Sequence, residues 1–374
     1  MTSGLSSTLR IAAVGDIMLG DEHVTIGWGV RSKLREKEPH WLFQHVGAAL
    51  RGADICFGNL EAPLSMDIGN KPKDLCFVGD ASAVACLKEA GFNLLSVANN
   101  HIMEHGATIY RETLDILDAC GIDYCGYKAS NPTILRVDDW KLAFFGYSFV
   151  DPVLNGELFA RGSYASMLQE IREFAKWTDL ILVSLHWGME YMEYPSYSQV
   201  QFARKLVQNG AHIILGHHPH VVQGVERYRD GLIAYSLGNF VFDMLWSEET
   251  RRSFILKIEV PKSGKIDYEI VPVRINDQYQ PEIVKGDSGG QFLEHVPALR
   301  SLIPETDMAE LAAHGNSYDL QARNAALKQS RRMQSYLIKR FWKLRLPSIV
   351  LIAKRQLGKA VRRLSGGLQW VFIL

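Results

Sequence analysis

Six short polar clusters, each closing a strand-like apolar run, constrain this chain more than any other feature. They read GDIMLGD from Gly15, GNLEAPLS from Gly58, ANNHIMEHG from Ala98, HWGMEY from His186, GHHPHVVQG from Gly216 and YSLGNFVFD from Tyr235. The runs before them are Leu9–Val14, Ile55–Phe57, Leu94–Val97, Leu180–Leu185, Ile213–Leu215 and Leu232–Ala234. In an open α/β sheet, ligands gather at the carboxyl ends of the strands. The pattern therefore predicts Asp, Glu, Asn and His side chains converging on one rim. Those are ligand types for divalent zinc, manganese or iron.

Helical periodicity fills the intervals and stops at glycine. Trp41–Arg51 precedes Gly52, Ser82–Ala90 precedes Gly91, Thr108–Cys120 precedes Gly121, and Tyr197–Asn209 precedes Gly210. Glycine just past a helix supplies the left-handed cap conformation. A strand-like run follows each stop, which predicts βαβ units and mostly parallel sheet. From Ser253 to Ile275 two strands flank the turn-like Pro261–Lys265 and read as an antiparallel pair. The stretch GDSGG from Gly286 marks a boundary, giving a domain over 1–287 and a helical extension over 288–374.

The zero formal charge of the 374-residue chain hides an asymmetry. From Gln321 onward there are thirteen basic residues and no acidic one, leaving 28 basic against 41 acidic elsewhere, a formal −13. Ala309–Ser335 reads as one helix. In Met333–Leu346, Met333, Leu337, Phe341 and Leu344 share a face away from Lys339, Arg340 and Lys343. After Pro347, the stripe Val350, Ala353, Leu357, Val361 and Leu364 opposes Lys354, Arg355, Lys359, Arg362 and Arg363. These patterns predict basic amphipathic helices, with Trp342, Trp370 and Phe372 suited to a headgroup boundary. The expected partner is an anionic membrane surface or a membrane-bound synthase subunit; docking back onto the acidic body is the alternative. Nucleic acid is disfavoured, because it has no use for the apolar stripes. Five cysteines without a CxxC read as small buried side chains in a reducing compartment. The N-terminus lacks a signal-peptide pattern, and no apolar run reaches the roughly 18–20 residues of a membrane span. Cytoplasmic or peripheral-membrane placement is the expectation.

Taken singly, the cluster residues keep alternatives open. Asp16 suits a cation or a turn cap. Asn59 and Glu61 alternate and so share one cleft, where Glu61 suits a bridge between two cations; Pro63 and Ser65 make a plain turn the alternative. Asn99, Asn100 and His101 join amide oxygens to an imidazole able to protonate a leaving group. His186 reads as a satisfied strand-end residue or, beside Trp187 and Glu190, as a cleft wall. His217, His218 and His220, three imidazoles in four residues after a buried strand, need partners or a metal. His23, His105 and His212 read as surface.

These clusters, in this order from about Leu9 to Ile275, resemble the CapA family of capsule and poly-γ-glutamate synthesis proteins, which is similar to the calcineurin-like metallophosphoesterases. The resemblance implies a four-layer α/β/β/α sandwich and a centre for one or two divalent ions, manganese, zinc or iron. It implies Asp16, Glu61, Asn100, His186, His218 and His220 as ligands, with His217 replacing His218 in a shifted reading. His101 becomes the proton donor, and Glu104 stands where the pattern has the aspartate that orients it. Met18 stands where the pattern has a histidine. Asn59, His217, Glu190 and Asn239 belong to the cleft around the ligands. The implied role is extracellular polymer biosynthesis, as a metal-dependent hydrolase acting on an anionic polymer or phosphoester. The alternatives are a polymer-binding accessory subunit of a synthase, or a metallophosphoesterase with an unrelated substrate.

Overall fold

A computed structural model describes residues 8–69, 72–152, 157–262, 265–286, 289 and 315–353. Two sheets stack face to face. The chain supplies β1 (Leu9–Ile17), β2 (Ile55–Leu60), a small separate pair β3 (Leu64–Ser65) and β4 (Gly79–Asp80), β5 (Leu94–Ser96), β6 (Asp123–Cys125), β7 (Thr133–Val137) and β8 (Trp140–Ser148). Then come β9 (Leu180–His186), β10 (Ile213–His217), β11 (Val225–Tyr228), β12 (Gly231–Ala234), β13 (Asn239–Val241), β14 (Arg252–Val260), β15 (Asp267–Ile275) and β16 (Pro281–Ile283). The first sheet runs β16-β15-β14-β1-β2-β5-β6, with β13 also paired to β1; the second runs β11-β12-β10-β9-β8-β7.

Alternation along the strands separates three apolar layers. Leu9, Ile11, Ala13, Ile55 and Phe57 of the first sheet meet Leu142, Phe144, Leu180, Leu182, Ile213 and Leu215 of the second in one buried core. The intervening residues, such as Ala12, Val14 and Cys56, face α3 (Val84–Ala90) and α4 (Gly106–Ala119), beyond the short α1 (Val30–Leu34) and α2 (Gly47–Leu50). On the far side, Ile181, Val183 and Leu185 pack on α5 (Tyr164–Phe174) and α6 (Tyr197–Gln208). The architecture is thus α/β, a four-layer α/β/β/α sandwich. After α7 (Glu248–Arg251), a long helix α8 (Gly315–Ile338) lies against the body, and helical residues 346–353 follow it. Its Tyr318 hydroxyl donates to Tyr194 O at 3.2 Å, and Arg332 and Lys328 pair with Glu249.

Three glycine stops act as expected: Gly91, Gly121 and Gly210 have φ of 100°, 61° and 110°. The fourth expectation fails. Trp41–Arg51 is not one helix but a 3-10 turn at Pro39–Trp41 and the four residues of α2, and Gly52 is not left-handed. Val46 and Gly47 fall in mid-segment, where a β-branched residue and a glycine both weaken a helix. The helix expected over Met333–Leu346 ends at Ile338 and gives way to a 3-10 turn at Phe341–Lys343. The hairpin β7–β8 carries no signal used above. The boundary near Asp287 and the stripe beyond Ala353 lie outside the described residues.

The decisive local feature is a bulge in β1. Ala13 pairs with Phe57 but Asp16 pairs with Asn59, so β1 spends three residues where β2 spends two. Regular alternation would send Asp16 outward with Ala12 and Val14. The extra residue turns it into the space between the sheets, while Ile17 returns to the outer layer. Gly15 makes this possible: a Cβ there would lie 1.8 Å from Gly238 O. Gly15→Ala should therefore destabilise the fold by at least about 2 kcal/mol, because the neighbour is backbone and cannot give way. Urea unfolding of the metal-free protein measures this, and an unchanged midpoint would show that the strand can shift freely.

Candidate metal centre

The inward-facing rows of four strands end in polar residues at one rim. β2 continues Ile55 and Phe57 with Asn59; β9 continues Leu180 and Leu182 with Ser184 and His186; β10 continues Ile213 and Leu215 with His217. The bulge adds Asp16. Glu61 follows β2 with its amide bonded to Ile17 O, and His218 and His220 follow β10. Asp16, Asn59, Glu61, His186, His217, His218 and His220 are all buried.

Asp16 is the hub. Its Oδ1 accepts from Asn59 Nδ2 at 2.9 Å and lies 3.2 Å from His217 Nδ1; its Oδ2 accepts from the His218 amide at 3.2 Å. Asn99 anchors the next loop. Its Nδ2 donates to Leu60 O and Asn59 Oδ1, and its Oδ1 accepts from the amides of His101 and Ile102. Asn100 Oδ1 is thereby set 2.7 Å from His186 Nε2. Asn239 fixes His220 from behind, its Oδ1 lying 2.9 Å from Nδ1 while its Nδ2 donates to Thr250 O. His218 and His220 have φ of 93° and 58°, a left-handed backbone that costs roughly 1–2 kcal/mol per non-glycine residue. The fold holds both rings inward against that strain.

Three groups in the cleft could each hold a metal ion: Glu61, His186 and His218; Asp16, Glu61 and His220; and Glu190, His218 and His220. Within each set the donor atoms lie within 4.8 Å of one another. The first two share Glu61. Both Glu61 carboxylate oxygens are buried without a hydrogen-bond partner, and so is His218 Nδ1. Burial, with Asp16 beside it, raises the Glu61 carboxyl well above its ordinary range. Burial pushes His186 well below its usual value, with the neighbouring imidazoles adding to it, and pushes His218 down to about 3. For Asp16 burial acts upward, but His217, His220 and Asn59 outweigh it and hold the carboxyl low. Neutral imidazoles around bare carboxylate oxygens are the donor set a divalent cation requires. The residues present fit such an ion.

His101 stands on the cleft wall rather than among the ligands. Its Nδ1 lies 2.9 Å from Glu104 Oε2, and its ring stacks on Phe77 at 4.2 Å. The longer glutamate side chain reaches the imidazole from one turn away. Met18 is fully buried in the outer apolar layer of the first sheet. His23, read above as surface, is buried and lines the cavity beside Glu22, because the loop after β1 folds over the cleft. His212 is half-buried, its Nδ1 accepting from the Ile181 amide, and His105 Nε2 lies 2.7 Å from Cys76 O. Phe77 and His23 lie outside the six clusters, and Phe77 reaches the cleft through left-handed backbone at φ 50°. Gln329, Ser330 and Met333 of α8 roof the cleft, leaving a cavity of about 30 Å³ that His101, Glu190 and His220 also line. That is room for about one or two waters.

The profile of the bacterial capsule synthesis protein family PGA_cap matches residues 10–244. The chain is 31% identical over 318 residues to the PGA biosynthesis protein CapA of Bacillus subtilis, covering 80% of this chain and 79% of that one. It is 30% identical over 289 residues to the capsule biosynthesis protein CapA of Bacillus anthracis, covering 72% and 68%. Among solved structures, a phosphatase from Mycoplasma pneumoniae superposes with a TM-score of 0.47 at 12% identity, over 78% of this chain and 98% of that one.

The Glu61 carboxylate, buried without a hydrogen bond, generates an opposed pair of effects. Glu61→Gln should raise the melting temperature in chelator, since it removes a carboxyl whose ionisation burial and Asp16 oppose. The same substitution should weaken manganese or zinc binding at least about 100-fold, as loss of a shared ligand exceeds the cost of losing an outer-sphere partner. Calorimetric melting with and without metal reads both. A variant less stable than wild type in chelator would mean that Glu61 has a protein partner.

Proposed function

This chain belongs to the PGA_cap family of bacterial capsule synthesis proteins, and from that membership we propose that it serves the biosynthesis of an anionic extracellular polymer of the poly-γ-glutamate type through a divalent-metal hydrolytic centre. The observation that carries the reading is the wholly buried Glu61 carboxylate, without a hydrogen-bond partner and set between two groups of candidate ligands. In this reading Asp16, Glu61 and His220 hold one ion, and Glu61, Asn100, His186 and His218 hold the other. The residue set is rich in imidazole and carboxylate, which suits manganese, zinc or iron.

Bound ions would supply Lewis acidity toward a phosphoryl or γ-glutamyl carbonyl oxygen. The protein's own residues do the rest. Asn59 and His217 keep Asp16 ionised and aimed inward. Asn239 orients His220, and Asn99 orders the loop that carries Asn100. Glu104 accepts from Nδ1–H of His101 and stabilises the imidazolium, which leaves Nε2 to give its proton to the leaving group. Phe77 restrains the ring plane. Glu104 is a positioning residue here. Gln329, Ser330 and Met333 of α8 narrow the cleft to a cavity of about 30 Å³, so a polymer or phosphoester would have to move them to reach the ligands.

The test combines metal analysis with turnover of a γ-linked oligoglutamate and of an activated phosphodiester. His101→Ala should lower turnover about 10²–10³-fold with metal content unchanged. Glu104→Gln should lower kcat and shift the pH profile while leaving KM in place. Glu61→Gln should abolish metal and turnover together. In a capsule-forming host deleted for its own family member, wild-type protein should restore polymer and Glu61→Gln should not. Full restoration by Glu61→Gln would show that the metal centre has no part in the function.

A further inference from the structure

The described end of the chain carries an unusual surface. Ile338, Phe341, Trp342, Leu346 and Ile349 are five large apolar side chains within twelve residues, each exposed; Phe341 and Trp342 keep 69% and 68% of their surface in water. Lys339, Arg340, Lys343 and Arg345 lie among them, and no acidic residue follows Asp319. Upstream on α8, Lys328 and Arg332 are paired with Glu249. The four later cations form no ion pair among the described residues. Arg340 lies over the Tyr336 ring at 4.0 Å and Lys343 over Trp28 at 5.2 Å, contacts that orient the charge without neutralising it.

We propose that residues 338–349 are a docking surface for an anionic lipid bilayer. Aromatic and aliphatic side chains interleaved with unpaired Lys and Arg suit the headgroup boundary, where apolar groups enter the acyl edge and cations meet lipid phosphates. A second copy of the chain would set four cations against four. The acidic body is already engaged through Glu249 by the preceding turns of α8. The position has a consequence for the site. Met333 roofs the cleft five residues before Ile338, about 8 Å along a helix axis. Docking would therefore bring the mouth of the cleft to the lipid surface, where a membrane-delivered polymer chain would reach it. The docking itself does not rest on the metal reading.

The experiment is co-sedimentation of full-length protein with vesicles of phosphatidylglycerol and phosphatidylcholine, and with phosphatidylcholine alone. Wild-type protein should pellet with the anionic vesicles, stay in solution with the neutral ones, and be released by high salt. Phe341→Ser with Trp342→Ser, and separately Lys339→Gln with Lys343→Gln, should each lower the partition coefficient at least about tenfold. All four side chains point away from the core, so unchanged circular dichroism is expected and checks folding. Wild-type-like pelleting of both variants would overturn the proposal and move the contact elsewhere. Equal pelleting with neutral vesicles, or none with anionic ones, would overturn it too. Lipid-free self-association lost in the Phe341→Ser, Trp342→Ser protein would assign the surface to a second copy instead.

Discussion

Everything at the rim depends on one buried carboxylate that ties the two sheets together. Asp16 comes from the central strand of the first sheet and accepts from Asn59 of the same sheet and from the His218 amide that follows the second. His217 approaches the same carboxylate from the end of β10. A lone ionised carboxylate in this position would cost several kcal/mol. Here the donors offset the burial, so Asp16 stays charged, and the charge in turn fixes where the imidazoles of the second sheet sit. The β1 bulge is the backbone event behind it, and Gly15 is what permits the bulge.

Glu61 shows the opposite balance in the same few ångströms. It has the burial of Asp16 without its donors, and it faces Asp16 itself. Two neighbouring carboxylates thus have environments that push them apart, one held ionised by protein groups and one left for something the chain does not supply. His186 and His218 are kept neutral by burial, which makes them lone-pair donors rather than cations. The left-handed backbone at His218 and His220 points to the same end, since a relaxed loop would release those rings from the cleft.

Much of this was legible in the sequence because strand ends are marked twice, by the apolar run and by the polar residues that halt it. The convergence of Asp16, Glu61, Asn100, His186, His218 and His220 followed from that alone. The alternation of runs and glycine stops gave the βαβ units and the parallel pairing; the order of the four layers came only from the family resemblance. What stayed hidden needs register or backbone conformation. No local pattern announces that β1 spends an extra residue beside β2, or that Phe77 reaches His101 through a left-handed turn. The stretch Trp41–Arg51 misled because apolar spacing alone cannot weigh Val46 and Gly47 against a helix. His23 misled because a loop histidine carries no mark of the fold-over that buries it.

The tail posed the harder ambiguity, since an apolar stripe has the same period whether it meets protein or lipid. The structure divides it. Gly315–Ile338 spends its stripe and part of its charge on the body: Tyr318 and Ala322 are buried beside Met192, and Glu249 takes Lys328 and Arg332. This placement answers a problem set by the −13 of the rest of the chain. An acidic body repels anions except where cations are concentrated. Ions bound in the cleft and the basic α8 beside its opening would place two sources of positive charge at one edge of the acidic body. Lys339, Arg340, Lys343 and Arg345, without ion pairs among the described residues, extend that favourable potential outward from the fold.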